Sequence, residues 1–150
     1  MFRGVTNVTL DAKGRLAIPT RYRPRLVEQG GGQLIVTVDS GHILLLYPFP
    51  EWTKVEHKLN SLPTTNPRAR QLQRLLVGHA TEVELDGAGR VLLPPTLREF
   101  AALDKQVTLI GQGNKFELWD QSRFAETREK WLKPDGEDSP LIAELESLSY

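Results

Sequence analysis

The chain repeats itself. Leu10-Asp11-Ala12-Lys13-Gly14-Arg15-Leu16-Ala17-Ile18-Pro19 returns 75 positions later as Leu85-Asp86-Gly87-Ala88-Gly89-Arg90-Val91-Leu92-Leu93-Pro94. Upstream, Thr6 and Val8 match Thr81 and Val83; downstream, Arg23 matches Arg98. A shift of three residues, assigned to the extra Gly30-Gly31-Gly32 region, then aligns Tyr47 with Trp119 and Trp52 with Phe124. Two copies are too few for a solenoid, which stacks many units into a continuous core. The fold must therefore be built from two like modules, most simply related by a pseudo-two-fold axis.

Both copies read alike. Val8 and Leu10 alternate with polar neighbours, and so do Leu16 and Ile18, as expected of half-buried strands. Between them Asp11–Gly14 places Asp first and Gly fourth, a type I turn pattern, and Asp86–Gly89 repeats it. A short helix is predicted from about Thr20, with Pro24 in its first turn, and Pro95 fits the first turn of its counterpart. A hairpin follows, Leu34–Val38 with Ile43–Tyr47 across Asp39-Ser40-Gly41-His42. Its partner is Val107–Ile110 with Phe116–Trp119 across Gly111-Gln112-Gly113-Asn114. Trp52, Val55, Leu59 and Leu62 recur at helical spacing, as do Phe124, Thr127 and Trp131 less cleanly. Tyr47, Trp52, Trp119, Phe124 and Trp131 are read as core.

The boundaries follow from this pattern. Residues 1–62 form the first module and 80–133 the second. Residues 63–79 form a helical connection, opened by Asn66-Pro67 as cap and first residue and running to about Val77, with Leu72, Leu75 and Leu76 on its apolar side. Residues 134–150 form an acidic tail in which Leu141, Ile142, Leu145 and Leu148 make a short amphipathic stretch. The fold class expected is α+β.

Composition excludes several function classes. The chain has no cysteine, which removes thiol nucleophiles, disulfides, iron–sulfur ligation and cysteine-based zinc sites. No secretory leader or membrane span is expected, since the longest apolar run, Ile43–Tyr47, is far too short for either. His42, His57 and His79 show no metal spacing and are read as surface or turn residues. Neither a nucleophile elbow nor a phosphate loop is present. The reading is of a protein that is not an enzyme and needs no cofactor, metal or small-molecule substrate. Net charge is zero but unevenly spread: residues 1–80 carry eleven Lys and Arg against five Asp and Glu, whereas residues 81–150 carry eight against fourteen. The first half can present a basic face although the whole chain is neutral.

The repeated Asp-x-x-x-Arg has two readings. An Asp that opens a turn hydrogen-bonds the backbone two residues on, and an Arg four positions later can pair with it and hold the turn. The turn does not demand Arg, however, and Arg15 comes with Lys13 on the turn and with Arg3, Arg21, Arg23 and Arg25 near in sequence. Such a group can bind phosphates, and an Arg fork can read guanine in the major groove. Copy two has Ala88 for Lys13 and Thr96 for Arg21, so copy one is the better nucleic-acid face. The rivals are an assembly or protein-interaction module, with Arg15 tied to Asp11 and no basic surface, and a toxin antidote whose tail wraps its partner.

These residues resemble the MraZ family of bacterial regulators associated with the division and cell wall gene cluster. The resemblance rests on Met1-Phe2-Arg3-Gly4 and on the two ten-residue motifs, and it covers about residues 1–133. It implies two AbrB-like swapped-hairpin modules supplied by one chain, flanked by short helices. It further implies a ring-shaped homo-oligomer, a cytoplasmic, nucleoid-associated location, and binding to short G-rich direct repeats in double-stranded DNA ahead of its own operon. By this resemblance Arg15 carries DNA binding, with Lys13 and Arg3 as neighbours. Asp11, Gly14, Asp86, Gly89 and Arg90 form the motif and shape the turns.

Overall fold

The computed structural model describes residues 1–133 together with 144, 147 and 148. The amphipathic stretch expected around Leu141–Leu148 thus lies almost wholly outside the described residues. Among residues 1–133, eight strands and five α-helices follow one another as β1 Phe2–Thr9, β2 Arg15–Ala17, α1 Arg23–Gly30, β3 Gln33–Asp39, β4 Ile43–Pro48, α2 Phe49–Asn60, α3 Pro67–Leu72, β5 Thr81–Glu84, β6 Arg90–Leu92, α4 Pro95–Phe100, β7 Gln106–Gly113, β8 Phe116–Asp120 and α5 Gln121–Leu132. The class is α+β, as the sequence indicates.

The strands that flank each Asp–Gly turn do not pair with each other. β1 pairs with β7 of the second copy, and β5 of the second copy pairs with β3 of the first. β2 and β6 leave the main sheet and pair only with each other. The simple hairpin that the turn chemistry suggests is therefore opened, and each copy completes the other. The result is a six-stranded antiparallel sheet, β1-β7-β8-β4-β3-β5, with the β2–β6 ribbon on one side.

The register places the pseudo-two-fold axis. Leu16 sits opposite Val91, its own counterpart 75 positions on, and Leu45 sits opposite Glu117, its counterpart 72 positions on. An axis through these two pairs exchanges the copies. Val8↔Val107 and Val83↔Leu34 then correspond, which makes the offset 73 along β3 and β7. The three-residue shift is thus divided: two residues fall between the first helix and β3, and one in the β3–β4 turn. In that turn His42 takes a positive φ of 57°.

β3 and β4 are buried on both faces, which is why Ile43–Tyr47 reads as a continuous apolar run and Leu34–Val38 as one broken only by Thr37. One face meets Leu16, Ile18, Val91 and Leu93 of the ribbon and Leu26 and Leu97 of α1 and α4. The other packs Ile35, Ile43, Leu45 and Tyr47 against Trp52 of α2, Trp119 and Phe124. Trp131 departs from expectation. It is 54% exposed and touches Trp119 and Phe124 only edge-on.

The connection is capped as predicted: the Asn66 side chain accepts from the Arg68 and Ala69 amides. Gln73–Val77 then widens into a π-turn, in which the Gly78 amide reaches back to the Gln73 carbonyl. The change of phase leaves Leu72 45% exposed while Leu75 and Leu76 pack on the two cores, so the three leucines do not share one face.

Candidate nucleic-acid interface

The Asp11 carboxylate organises the first turn. Its Oδ1 accepts from the Lys13 and Arg15 amides, both at 2.9 Å, and its Oδ2 accepts from Arg15 Nε at 2.5 Å. The Arg15 amide, with help from the Arg15 side chain and the Lys13 amide, holds this carboxyl down at about 2. The second turn is the same in kind. Asp86 Oδ1 accepts from the Ala88 and Arg90 amides at 2.9 and 2.8 Å, and Arg90 Nε lies 3.3 Å from Oδ2. The Arg90 amide, above all, lowers the Asp86 pKa. An ionised carboxylate that accepts backbone amides fixes a turn far better than a neutral one would.

The ribbon sets where the arginines point. Leu16 and Val91 are fully buried, so period-two alternation turns Arg15, Ala17, Arg90 and Leu92 away from the core. Arg15 stands opposite Leu92 and Ala17 opposite Arg90. Arg90 Nη1 lies 3.9 Å from Asp11 Oδ2, so the two turns share one charge network across the pseudo-axis. The side chains of Asp11, Arg15, Asp86 and Arg90 are 30–39% exposed. Such part-exposed pairs are screened by solvent and contribute little to stability. Their effect is positional. Asp11 grips Arg15 at Nε, and the two terminal nitrogens of Arg15 have no protein partner among the described residues. Within the network two carboxylates balance two guanidinium groups; Lys13, exposed on the first turn, is the charge left over, and Ala88 offers no equivalent.

Each turn glycine has a positive φ, +84° at Gly14 and +76° at Gly89, a region that side chains other than hydrogen rarely enter. Each also lies against an arginine of the other copy. A Cβ at Gly14 would fall 2.4 Å from Arg98 Cζ, and one at Gly89 would fall 2.2 Å from Arg23 Cζ. Arg98 and Arg23 are held in turn by the carbonyls of Leu93 and Ile18. The amides of Leu93 and Ile18 donate to the Gly14 and Gly89 carbonyls. The two turns are thus locked reciprocally across the axis. Sequence reasoning missed this role, though Arg23 and Arg98 recur at the repeat offset and so carried the signal.

Arg3 is not brought to the turn. It lies near the start of β1, six residues from Thr9, which is about 20 Å along a strand. There it is grouped with Arg21 and Arg25. Arg21 donates to the Thr6 and Tyr22 hydroxyls at 2.6 and 2.9 Å, Tyr22 donates to the Arg3 carbonyl, and Arg25 lies over the Phe2 ring. Desolvation, then the charges of Arg25 and Arg3, lowers the Met1 amine pKa. His42, His57 and His79 are exposed, and no three His, Asp or Glu side chains among the described residues converge on a metal-sized site. No helix among the described residues is long and apolar enough to cross a membrane.

One chain that folds two modules with exchanged strands about an internal pseudo-axis, with an Asp–Arg turn at each end of a shared ribbon, belongs to the class of tandem swapped-hairpin proteins. The family described as "MraZ protein, putative antitoxin-like" matches it twice, over residues 1–75 and 76–135. A protein of Thioalkalivibrio sulfidiphilus named transcriptional regulator MraZ is 58% identical over 149 residues, covering 99% of both chains. Namesakes in Halorhodospira halophila and Nitrosospira multiformis are 52% identical over 99% of this chain and 59% identical over 83% of it. The chain belongs to the MraZ family.

Proposed function

We propose that this protein is a transcriptional regulator that binds double-stranded DNA through the outer face of the β2–β6 ribbon and is not an enzyme. The observation that carries this reading is the state of Arg15: it is anchored at Nε by Asp11, while its terminal nitrogens, on a side chain 30% exposed, have no protein partner among the described residues. Anchoring of this kind reduces the rotamer freedom lost on binding and leaves a bidentate donor for a guanine edge or a phosphate. Lys13 adds a mobile phosphate contact beside it. Arg90 shares the face but works within the network, and Arg3 reaches phosphates further along the duplex.

In this reading the targets are short G-rich direct repeats ahead of the protein's own division and cell wall operon, and the protein works at the nucleoid in the cytoplasm. One neutral subunit with few cationic contacts binds weakly, with log K falling against log salt by about 0.9 for each phosphate neutralised. A ring-shaped homo-oligomer that lays adjacent faces on adjacent repeats gains avidity of roughly 100- to 10,000-fold. The tie between Arg15 and Asp11 also favours a second reading, an interaction module or antidote in which that pair is purely structural. Gel shifts on the upstream promoter, with wild type and Arg15→Ala across a salt series, separate the two. Salt-sensitive binding that drops at least tenfold in a folded Arg15→Ala variant supports DNA recognition. Equal affinity for promoter and scrambled DNA at every salt concentration refutes it.

A further inference from the structure

The connection between the two copies is basic in a way the fold does not use. From His57 to Thr81 the chain carries Lys58, Arg68, Arg70 and Arg74 and no Asp or Glu. On α2 both carboxylates are engaged, Glu51 by Lys54 Nζ at 3.2 Å and Glu56 by Trp52 Nε1 at 2.9 Å. Arg70 and Arg74 stand one helical turn apart, both exposed, and like charges at that spacing repel. Neither makes an ion pair among the described residues, whereas Arg23, Arg98 and Arg123 are each tied to a backbone carbonyl. Nor does the repeat require them. At an offset of 73, Asn66-Pro67 returns as Ser139-Pro140, and Arg70 and Arg74 become Ala143 and Ser147.

The two arginines border a recess of about 620 Å³. Arg70, Gln73, Arg74 and Gly78 supply one wall, at helical spacing; Asn60 and Thr64, at the end of α2 and in the loop beyond it, supply the other. Gln73 Nε2 donates to the Leu59 carbonyl at 2.8 Å, which pins the first wall to the second. No carboxylate lines the recess. It lies on the α2 side of the sheet, the face opposite the ribbon. Two guanidinium forks with a hydroxyl and an amide across from them suit a group that carries double negative charge and several acceptor oxygens, which is a phosphate. The volume is that of a small-molecule site and exceeds what one phosphate fills.

We propose that this recess binds a small phosphorylated ligand, with Arg70 and Arg74 clamping its phosphate and Asn60 and Thr64 donating to the oxygens that remain. The ligand relieves the repulsion between the two arginines and bridges α2 to the connection. The site shares no residue with the ribbon, and it goes beyond the DNA reading without resting on it.

The test is equilibrium dialysis of the full chain against radiolabelled pyrophosphate at low salt. Wild type is expected to bind one pyrophosphate per chain, saturably. Arg70→Gln with Arg74→Gln should weaken that binding at least tenfold while leaving the urea midpoint where it was, since both side chains are exposed and unpaired among the described residues. Thr64→Val leaves both arginines in place, should weaken binding several-fold, and keeps the test open if the double variant fails to fold. Lys13→Ala with Arg15→Ala strips the ribbon face and should bind pyrophosphate as wild type does. No saturable binding by wild type, undiminished binding by the double glutamine variant, or loss of binding in the Lys13 and Arg15 variant overturns the proposal. Gel shifts on promoter DNA separate the two sources of phosphate. The double glutamine variant is expected to match wild type there; promoter affinity that falls tenfold with it, in a protein that takes up no pyrophosphate, assigns the recess to duplex phosphates and overturns the proposal as well.

Discussion

Gly14→Ala separates backbone strain from the reciprocal lock. Alanine at φ +84° costs about 1–2 kcal/mol in backbone strain alone. Its Cβ would also stand 2.4 Å from Arg98 Cζ, so the guanidinium must withdraw by about 1 Å to restore an ordinary contact. Arg98 is the end of a flexible side chain, and the movement is sterically cheap. What is lost is its hydrogen bond to the Leu93 carbonyl, at 3.2 Å. A bond from a charged donor contributes about 1.5–3 kcal/mol, and the long, part-exposed geometry argues for the lower figure. The total is about 2–4 kcal/mol. Urea unfolding at one fixed chain concentration measures it as a shift of midpoint with unchanged slope. Gly31 is the control, with φ +63° and nothing within 4 Å of its would-be Cβ. Gly31→Ala carries the backbone strain without the lock. In an Arg98→Ala background the bond is already gone, and Gly14→Ala should cost only about 1–2 kcal/mol. Strict additivity of Gly14→Ala and Arg98→Ala, or a Gly14→Ala cost no larger than that of Gly31→Ala, would refute the lock.

Two further perturbations test the same frame. Asp11 has its folded pKa depressed to about 2, so its contribution is complete above the ordinary value of 3.8 and is lost as pH falls towards 2; Asp11→Asn should flatten stability against pH in that window, and an unchanged profile would show that the carboxylate is not what holds the turn. Thr37 is fully buried, and its hydroxyl donates to the Leu76 carbonyl at 2.6 Å across to the π-turn, so Thr37→Val should cost about 1–3 kcal/mol by urea unfolding while Thr37→Ser keeps the bond; a Val variant as stable as wild type would count against it.

Much of the fold was written in local chemistry. Asp11 and Gly14 announce a turn because one caps amides and the other accepts a positive φ, and both demands are met within four residues. The nearly continuous apolar runs Leu34–Val38, broken only by Thr37, and Ile43–Tyr47 announce strands buried on both faces. Which strand pairs with which is not a local property. β1 lies on β7 because Val8, Thr6 and Phe2 find there what β2 cannot offer once Leu16 has been drawn to Val91, and only the repeat and the family resemblance hinted at it. The site shows the same division. The Asp11–Arg15 bond can be expected from spacing, but the passage of Arg98 beneath Gly14 depends on the exchange of copies. Arg3 looked like a neighbour of Lys13 in sequence, and an extended strand carried it away. Trp131 continued a helical stripe, but its ring meets only the neighbouring Trp119 and Phe124 rings edge-on and stays half exposed.

The exchange of strands has a consequence for how the chain is made. Val8 is the first-copy partner of Val107, ninety-nine positions later. At a synthesis rate of about 5–20 residues per second, β1 leaves the ribosome roughly 5–20 seconds before its mate exists. The first half cannot mature on its own during that interval, since β3 is also waiting for β5. The nascent strand is therefore kept soluble by what it carries, Arg3, Gly4 and Asn7 among its apolar residues, and a message cut short after the first copy yields a fragment whose β1 lacks its β7 partner and whose β3 lacks β5.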